Sequence, residues 1–316
     1  MTRYDLCFAW DCDGDVDFVD FLGEACREAR LTLLQATPAN LGSVLASLNA
    51  GDAAFRAFFD RASDEEPAFL PLAEWATRNG VCCINPHDRA NVAWDKAEMH
   101  AALSAELHTP PTLILPPYRD RPELPPLDLA PLGASFTIKP AYGGGGLGVV
   151  TCISPDKIPE ARRLYPDRKY ILQSHIVPVR LDGRPAWFRI LYVAGRYYPC
   201  WWDVKTHAYT PVTCAAEEHY GLRPLRGIAQ TVARISGLHL FSTEVALTPD
   251  RQFLVIDYVN NPVDLRPQSK TPDGVPNLIV RFVARDVARL VAAMLARGDA
   301  AATPAPCPGE KGHEGI

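Results

Sequence analysis

A glycine-rich stretch in the middle of the chain has the residue types of a phosphate-binding loop. Residues 136–153 read FTIKPAYGGGGLGVVTCI, and five of the chain's 21 glycines fall between Gly143 and Gly148. Glycines leave backbone amides free to close around an anionic ligand. Lys139 precedes them, and β-branched or aromatic residues on both sides favour strands. The pattern predicts a flexible flap at the tip of a hairpin, with a lysine at its base.

The order of these residues excludes two familiar phosphate sites. A P-loop places its lysine and a Ser/Thr after the last glycine, where a helix begins. Here the segment Leu147-Gly148-Val149 leads into a predicted strand instead. A protein kinase places its lysine after the glycine flap, and no HRD or DFG motif follows in this chain. A glycine-rich surface hairpin that binds nothing remains the open alternative.

A second group of polar side chains follows a late apolar strand. Residues 253–268 read FLVIDYVNNPVDLRPQ, so the strand carries Asp257 and ends near Asn260, while Glu244 lies on the strand before it. In an antiparallel pair the two acids can face one another across the ladder. Carboxylate and amide oxygens suit Mg²⁺, which takes its other ligands from water and substrate phosphates. The alternative is a turn-capping Asp257 and a solvated Glu244.

Hydrophobic periodicity gives the elements that must position these groups. Alternating strands and helices over the first ninety or so residues predict a small parallel sheet with helices on its faces. The proline-rich segment 110–131 is read as a short strand and an extended connector. Strands are expected at 4–10, 31–35, 81–84, 112–115, 170–176, 187–193, 196–202, 244–247 and 253–259. Helices are expected at 16–30, 41–49, 70–79, 91–107, 155–164, 225–236 and 277–296.

Length, charge and cysteine usage narrow the class of protein. The chain has 316 residues, 47% of them hydrophobic, which is enough for two or three domains with substantial cores. A formal net charge of −5 provides no basic field, so we expect no nucleic-acid partner. There is no targeting signal and no 18-residue apolar run, so we expect no membrane partner. Nine scattered cysteines without a CxxC pair fit reduced thiols in the cytoplasm.

Together, the glycine flap and the acid/amide cluster resemble the ATP-grasp superfamily of ATP-dependent ligases, over about residues 92–296. The branch most similar in motifs is the one with ribosomal-protein-modification and glutathione-synthetase-like enzymes. The resemblance implies an α/β (α+β) fold, with an ATP-grasp unit behind an N-terminal Rossmann-like domain. The expected divisions are the Rossmann-like pre-ATP-grasp domain at 1–91, the lid subdomain with the flap at 92–176, the C-terminal subdomain with the metal site at 177–297, and a disordered tail at 298–316.

The resemblance also implies which residues bind the nucleotide. Lys96 corresponds to the first nucleotide-binding lysine and Lys139 to the second, close to the phosphates. His175 stands where the family usually has an acidic residue, so the ribose contact departs from the pattern. The flap residues carried over are Gly143, Gly144, Gly145, Gly146 and Gly148, and the hinge residues that dock adenine and ribose are Gln173, Ser174, His175 and Ile176.

The metal site and the transferred phosphoryl group have counterparts as well. Arg189, in Trp187-Phe188-Arg189, matches the arginine of a D-x-R-type strand whose aspartate is absent here. Glu244, Asp257 and Asn260 correspond to the metal ligands. Two residues separate Asp257 from Asn260 where the family usually has one. A bulge could restore the geometry, and Asn261 is the fallback ligand.

The implied activity is an ATP- and Mg²⁺-dependent ligation, with Mn²⁺ as an alternative metal. A carboxylate is activated as an acyl phosphate and joined to an amine on an amino acid or a peptide-like substrate. Arg266 is the candidate for holding the substrate carboxylate, with a surface salt bridge as the alternative. The segment 201–207 either lines the acceptor pocket or packs at its rim. A small-molecule kinase and a non-catalytic nucleotide-binding regulator remain open, as does a homodimer.

Overall fold

The computed structural model of the chain describes residues 1–11 and 13–302. Within them the strands form a four-stranded, a three-stranded and a five-stranded sheet and a separate two-stranded hairpin. The first nine elements are β1 (Thr2–Ala9), α1 (Val16–Glu28), β2 (Leu33–Ala36), α2 (Leu41–Ala50), β3 (Ala53–Asp60), α3 (Leu70–Arg78), β4 (Cys82–Ile84), α4 (His87–Trp94) and α5 (Lys96–Leu103).

The N-terminal sheet is parallel, with the strand order β2-β1-β3-β4. Successive side chains of a strand point to opposite faces. Accordingly, Leu6 and Phe8 of β1 join the core that contains α1, while Cys7 and Ala9 join the core that contains α2 and α3. The small parallel sheet with helices on both faces is therefore confirmed. One of its two central strands, β3, was not predicted, because a strand buried on both faces lacks a clear alternation of apolar and polar residues.

The helix predicted over 91–107 is divided in two at Asp95. Its backbone is extended there (φ −81°, ψ 104°), and its carboxylate caps α5 by accepting hydrogen bonds from the amides of Ala97 and Glu98. The break makes Lys96 the first residue of α5, and its amide donates a 2.7 Å hydrogen bond to the carbonyl of Ala141. The capping aspartate thus places Lys96 next to the glycine flap.

The three-stranded sheet is antiparallel and has the order β5-β7-β6. After β6, Val150 pairs with Ile138 in an isolated bridge, through two main-chain hydrogen bonds of 2.9 Å, and the amide of Ile153 donates a 3.1 Å hydrogen bond to the carbonyl of Phe136. The prediction of a full strand after the glycines is therefore wrong, because positive φ angles at Gly148 (74°) and Cys152 (52°) interrupt the extended backbone. The elements of this region are β5 (Thr112–Leu115), β6 (Phe136–Pro140), α6 (Ile158–Arg163) and β7 (Tyr170–Ser174).

The five-stranded sheet is antiparallel and has the order β12-β11-β10-β13-β14. Phe188 and Ile190 of β10 pack with α8, whereas Leu191 and Val193 join the core shared with α1 and α9. The elements are β8 (Arg180–Leu181), β9 (Arg184–Pro185), β10 (Trp187–Val193), β11 (Arg196–Trp202), β12 (Tyr209–Pro211), α7 (Cys214–Tyr220), α8 (Pro224–Ser236), β13 (Leu240–Leu247), β14 (Phe253–Asn260) and α9 (Asn277–Ala302).

Helix α9 joins the N-terminal and the C-terminal sheets. Its apolar residues, such as Val283 and Val287, share one core with α1, β1 and β10. The helix extends to Ala302, so it enters the segment predicted to be a disordered tail, and residues 303–316 lie outside the described residues. None of the helices in the described part of the chain has an apolar stretch of the length needed to cross a bilayer.

A buried ion pair connects the N-terminal sheet to the segment after β14. Arg61 contacts Asp15 at 2.8–2.9 Å through Nε and Nη2, and its Nη1 donates a 2.8 Å hydrogen bond to the carbonyl of Val263. The two side chains are 8% and 2% exposed. Loss of one partner would leave the other charge buried and unpaired, which is strongly destabilising.

We therefore expect Asp15→Ala to lower the free energy of unfolding by about 3 kcal/mol or more. Urea unfolding followed by circular dichroism measures this. Asp20→Ala is the matched control, because Asp20 lies exposed on α1, and it should change the free energy by less than about 0.5 kcal/mol. Equal effects of the two substitutions would contradict the prediction.

Candidate active site

A cavity of about 1010 Å³ opens between the three-stranded and the five-stranded sheets. The lid side contributes Lys96, Lys139 and four of the flap glycines, and the opposite sheet contributes Glu244 and Asp257. The sequence analysis placed the glycine flap and the acid pair in one site, and they do line one cavity. The predicted site residues on its wall are Lys96, Lys139, Gly143, Gly144, Gly145, Gly146, Gln173, Ser174, His175, Ile176, Glu244 and Asp257.

The two acids lie directly opposite each other on neighbouring strands. Glu244 of β13 pairs with Asp257 of β14, and Arg189 of β10 pairs with Glu244 on its other side. The register of β13 and β14 shifts twice near Glu244, so Ser242 pairs with Asn260. The prediction that the acids face one another is confirmed, and the bulge expected between Asp257 and Asn260 is present.

Arg189 is held rigidly beside Glu244 and does not line the cavity. Its Nη1 lies 3.6 Å from Glu244 Oε1, and its Nε donates a 3.2 Å hydrogen bond to Ser242 Oγ. The guanidinium lies 4.7 Å from the centre of the Trp202 ring. Stacking, the hydrogen bond and the ion pair leave this side chain little freedom, so it can orient Glu244.

Burial and charge act in opposite directions on the three ionisable groups at the centre. Burial lowers the pKa of Lys139, and the nearby Asp257 opposes this. Burial raises the pKa of Glu244, opposed by Arg189. Burial also tends to raise the pKa of Asp257, but Lys96, Lys139 and Arg189 together hold it below its ordinary value. Asp257 is therefore the carboxylate most firmly kept in its charged form.

The donor set suits a divalent cation that takes further ligands from a phosphate or water. Asp257 Oδ1 is buried and has no hydrogen-bond partner, and the Asn260 side chain hydrogen-bonds Asp257. No group of three or more His, Cys, Asp or Glu converges within residues 1–11 and 13–302. The unpaired carboxylate oxygen supports a cation here, because a buried acceptor without a partner is costly. Two carboxylates and an amide leave room for the ligand oxygens that Mg²⁺ requires.

The fallback ligand Asn261 is engaged elsewhere. Its side-chain oxygen accepts a 2.7 Å hydrogen bond from Asn85 Nδ2, and its main-chain oxygen accepts one from Trp94 Nε1. It lines a separate cavity of about 280 Å³ beside α4. The arrangement favours Asn260 as the amide ligand.

Arg266 is not brought to the nucleotide-sized cavity. Its guanidinium contacts Asp264 and Asp273, each at 2.9 Å. These two carboxylates already occupy the guanidinium of Arg266, which was expected to bind a substrate carboxylate. The geometry agrees with the alternative interpretation, a partly exposed salt bridge.

Of the five flap glycines, Gly148 leaves the least room for a side chain. Gly148 has a φ of 74°, and a Cβ there would lie 2.7 Å from Tyr165 Cε2. It packs at the base of the flap and does not line the cavity. At the other end of the flap, Lys96 Nζ donates a hydrogen bond to the carbonyl of Gly143. The flap is therefore anchored at both ends, with its central glycines facing the cavity.

Strand β7 is tied to β14 by a side-chain hydrogen bond. The buried Gln173 donates a 3.1 Å hydrogen bond from Nε2 to the hydroxyl of Tyr258, which lies 2.7 Å from His100 Nδ1. The segment that follows, Ser174 to Ile176, lines the cavity, and His175 is exposed. Gln173 thus has a structural hydrogen bond in addition to its place on the wall.

Sequence reasoning missed part of the wall. The β8–β9 hairpin contributes Arg180 and Arg184, neither of which was a predicted site residue. Asp182 and Gly183 both have positive φ (47° and 78°), and an Asp-Gly pair is the usual sign of such a hairpin turn. The Asp-Gly pair could therefore have predicted the β8–β9 hairpin from the sequence. The interpretation of 201–207 as pocket lining holds for 202–205, whereas Trp201 packs on Phe188.

No protein-family model matches the chain, and no curated protein matches its sequence. Solved structures do match. A RimK-domain ATP-grasp protein from Sphaerobacter thermophilus is 19% identical, with a TM-score of 0.60 over 92% of this chain and 100% of the other. The D-cycloserine synthetase DcsG is 18% identical, with a TM-score of 0.57 over 90% and 99%. D-Alanine–D-alanine ligase from Bacillus anthracis, complexed with ATP, is 11% identical, with a TM-score of 0.64 over 96% and 100%.

These likenesses establish the fold. The chain has the ATP-grasp fold, a mixed α/β architecture. The resemblance drawn from the glycine flap and the acid pair is thereby confirmed at the level of the fold.

We expect Gly148→Ala to lower the thermal unfolding midpoint by about 2 °C or more, because about 1 kcal/mol of strain shifts a domain of this size by that amount. Gly144→Ala is the matched control, since a Cβ there meets nothing within 4 Å and its φ is not positive. Differential scanning fluorimetry compares the two. A midpoint for Gly148→Ala equal to that of the control would contradict the conclusion that position 148 requires glycine.

The lowered pKa of Lys139 predicts how the affinity of the cavity for an anionic ligand such as ADP depends on pH. The ammonium charge that attracts phosphate is present below that pKa and is lost above it. The Kd for ADP, measured in EDTA, should therefore begin to rise at a pH below 10.5, the ordinary lysine value. Lys139→Arg should remove this break, because a guanidinium keeps its charge. A wild-type curve that stays flat up to pH 10.5 would contradict the prediction.

Proposed function

We propose that the protein is an ATP- and Mg²⁺-dependent carboxylate–amine ligase. One observation carries the proposal: the lysines of the lid and the paired acids of the opposite sheet line the same cavity, beneath a glycine flap. The lysines attract a polyanion such as a triphosphate, and the acids attract a divalent cation. A polyanion bound beside a divalent cation therefore satisfies the charges of both groups. The solved ATP complex of a D-alanine–D-alanine ligase with this fold supports ATP as the nucleotide.

The residues divide the work between binding phosphate and binding the cation. Lys96 and Lys139 bind the phosphates, and the amides of Gly143–Gly146 close over them. Glu244, Asp257 and Asn260 hold the metal, which neutralises charge on the transferred phosphoryl group. Arg189 keeps Glu244 in place. The flap excludes water from the reacting groups when it closes.

The reaction has two steps. A substrate carboxylate oxygen attacks the γ-phosphorus, the bond from that phosphorus to the β,γ-bridging oxygen breaks, and ADP leaves with the bond's electron pair. An amine nitrogen then attacks the acyl phosphate carbon, inorganic phosphate leaves, and the nitrogen loses a proton. Positioning and charge neutralisation are the protein's main contributions to such a transfer.

The cavity wall supports a substrate with carboxylate groups, such as an amino acid or a peptide. Arg180, Arg184 and Lys205 lie on it beyond the acid pair. Arg184 is oriented by a 2.8 Å hydrogen bond from Nη2 to Thr210 Oγ1 and lies 5.0 Å from the centre of the Trp201 ring. A fixed guanidinium recognises carboxylates well.

We place this activity in the cytoplasm. The seven cysteines in the described residues carry free thiols, among them the exposed Cys82, Cys152 and Cys214. Exposed reduced thiols suit a reducing compartment.

The test is incubation with ATP, Mg²⁺, pooled amino-acid and peptide carboxylates, and hydroxylamine. We expect ADP and hydroxamates in equal amounts, because hydroxylamine captures an acyl phosphate. Asp257→Asn should abolish both products while the circular dichroism spectrum stays unchanged. Asp120→Asn, at an exposed position, is the control and should keep full activity.

Two outcomes would overturn the ligase proposal. A stable phosphate ester on a recovered hydroxyl compound, without hydroxamate, indicates a kinase. Nucleotide binding without ADP release for any substrate indicates a regulator.

A further inference from the structure

The side chain of Asn85, the residue after β4, uses all its hydrogen-bonding groups on the five-stranded sheet. Its Nδ2 donates to the carbonyl of Leu240 at 2.6 Å and to Asn261 Oδ1 at 2.7 Å. Its Oδ1 accepts from the amides of His239 and Leu240 at 2.8 and 2.9 Å. A fully satisfied amide of this kind holds its partners in one arrangement.

These contacts lie at one end of the strand pair that carries the acids. Strand β13 begins at Leu240 and β14 ends at Asn260. Because the strands are antiparallel, the start of β13 lies beside the end of β14, where Ser242 pairs with Asn260. Asn85 therefore bridges the two strands at the end where the amide ligand Asn260 lies.

Trp94 adds a second contact from the same part of the chain. Its Nε1 donates to the main-chain oxygen of Asn261, whose side-chain oxygen is bound by Asn85. Both oxygens of Asn261 are thus occupied by residues from β4 to α4. Besides its hydrogen bond to Asp257, the Asn260 side chain makes a long 3.5 Å hydrogen bond from Nδ2 to the carbonyl of Ser242, and its side-chain oxygen is not engaged in the latter.

We propose that Asn85 is a positioning residue for the metal site: it fixes Asn261 away from the cavity and thereby holds the Asn260 amide beside Asp257. The proposal rests on the metal site assigned under the proposed function. In this proposal the segment that follows the N-terminal sheet supports the metal site indirectly, through its hydrogen bonds to the ends of β13 and β14.

The expected consequence is selective. Release of Asn261 frees the end of β14, so Asn260 loses its fixed position and Asn261 competes with it. Partners that orient a metal ligand typically change metal affinity about 10- to 100-fold when removed. Lys96, Lys139 and the flap are untouched, so nucleotide binding without metal should not change.

The experiment measures Mn²⁺ binding by electron paramagnetic resonance in the presence of saturating ADP, with the full chain. Asn85→Ala should raise the Kd for Mn²⁺ about tenfold or more and change the Kd for ADP in EDTA less than about twofold. Asn91→Ala is the matched control. Asn91 lies on α4 at the same small cavity, and its side chain makes no hydrogen bond within the described residues.

A double-mutant cycle separates positioning from general weakening. If Asn85 acts through Asn260, Asn85→Ala should have little further effect on the Kd for Mn²⁺ in an Asn260→Ala protein. Additive losses would overturn the proposal, as would an unchanged Mn²⁺ affinity in Asn85→Ala.

Asn261→Ala provides an independent variant if Asn85→Ala does not fold. It removes only the contact to the end of β14 and leaves the bonds of Asn85 to β13, and it should also weaken Mn²⁺ binding. Unchanged binding in that variant overturns the positioning role alone. If the unaltered protein with ADP binds no Mn²⁺, the metal site of the proposed function and the role of Asn85 fail together.

Discussion

The pairing of Glu244 with Asp257 across β13 and β14 is the constraint on which the rest of the site depends. Two buried carboxylates side by side repel each other and lose hydration, so both stay charged only if cations lie close. Arg189 supplies one from the adjacent strand. Lys139 on β6 and Lys96 at the start of α5 supply two more, which requires the lid and the five-stranded sheet to enclose one space.

The placement of the lid lysines follows from local backbone features. Lys139 lies on β6, and its Nζ is 3.4 Å from the carbonyl of Ile256, the residue before Asp257. Lys96 reaches the flap because Asp95 ends one helix and caps the next. A continuous helix through this segment would lack the turn that brings the amide of Lys96 to the carbonyl of Ala141. One capping aspartate therefore brings Lys96 to the side of the cavity that carries Lys139 and the flap.

The sequence predicted what local patterns determine. The strand pair around Glu244 and Asp257 was recognisable because two short apolar runs flank a turn. Long-range contacts could not be predicted in this way. Nothing local to Asn85 indicates that its partners lie about 155 to 176 positions later in the chain. Strand β3 was missed because burial on both faces removes the alternation that marks a strand.

The departure from the family's spacing shows how an extra residue is accommodated. In a regular strand, Asp257 and Asn260 would point to opposite faces, because side chains alternate with a period of two. Across the ladder, however, Glu244 pairs with Asp257 and Ser242 with Asn260, so three positions on β14 oppose two on β13. The bulge absorbs the additional residue and returns Asn260 to the face that carries both acids. A bulge leaves the local ladder incompletely paired. The contacts of Asn85 and Trp94 to Asn261 are therefore most useful at this end of the strand, where the sheet itself holds the chain least firmly.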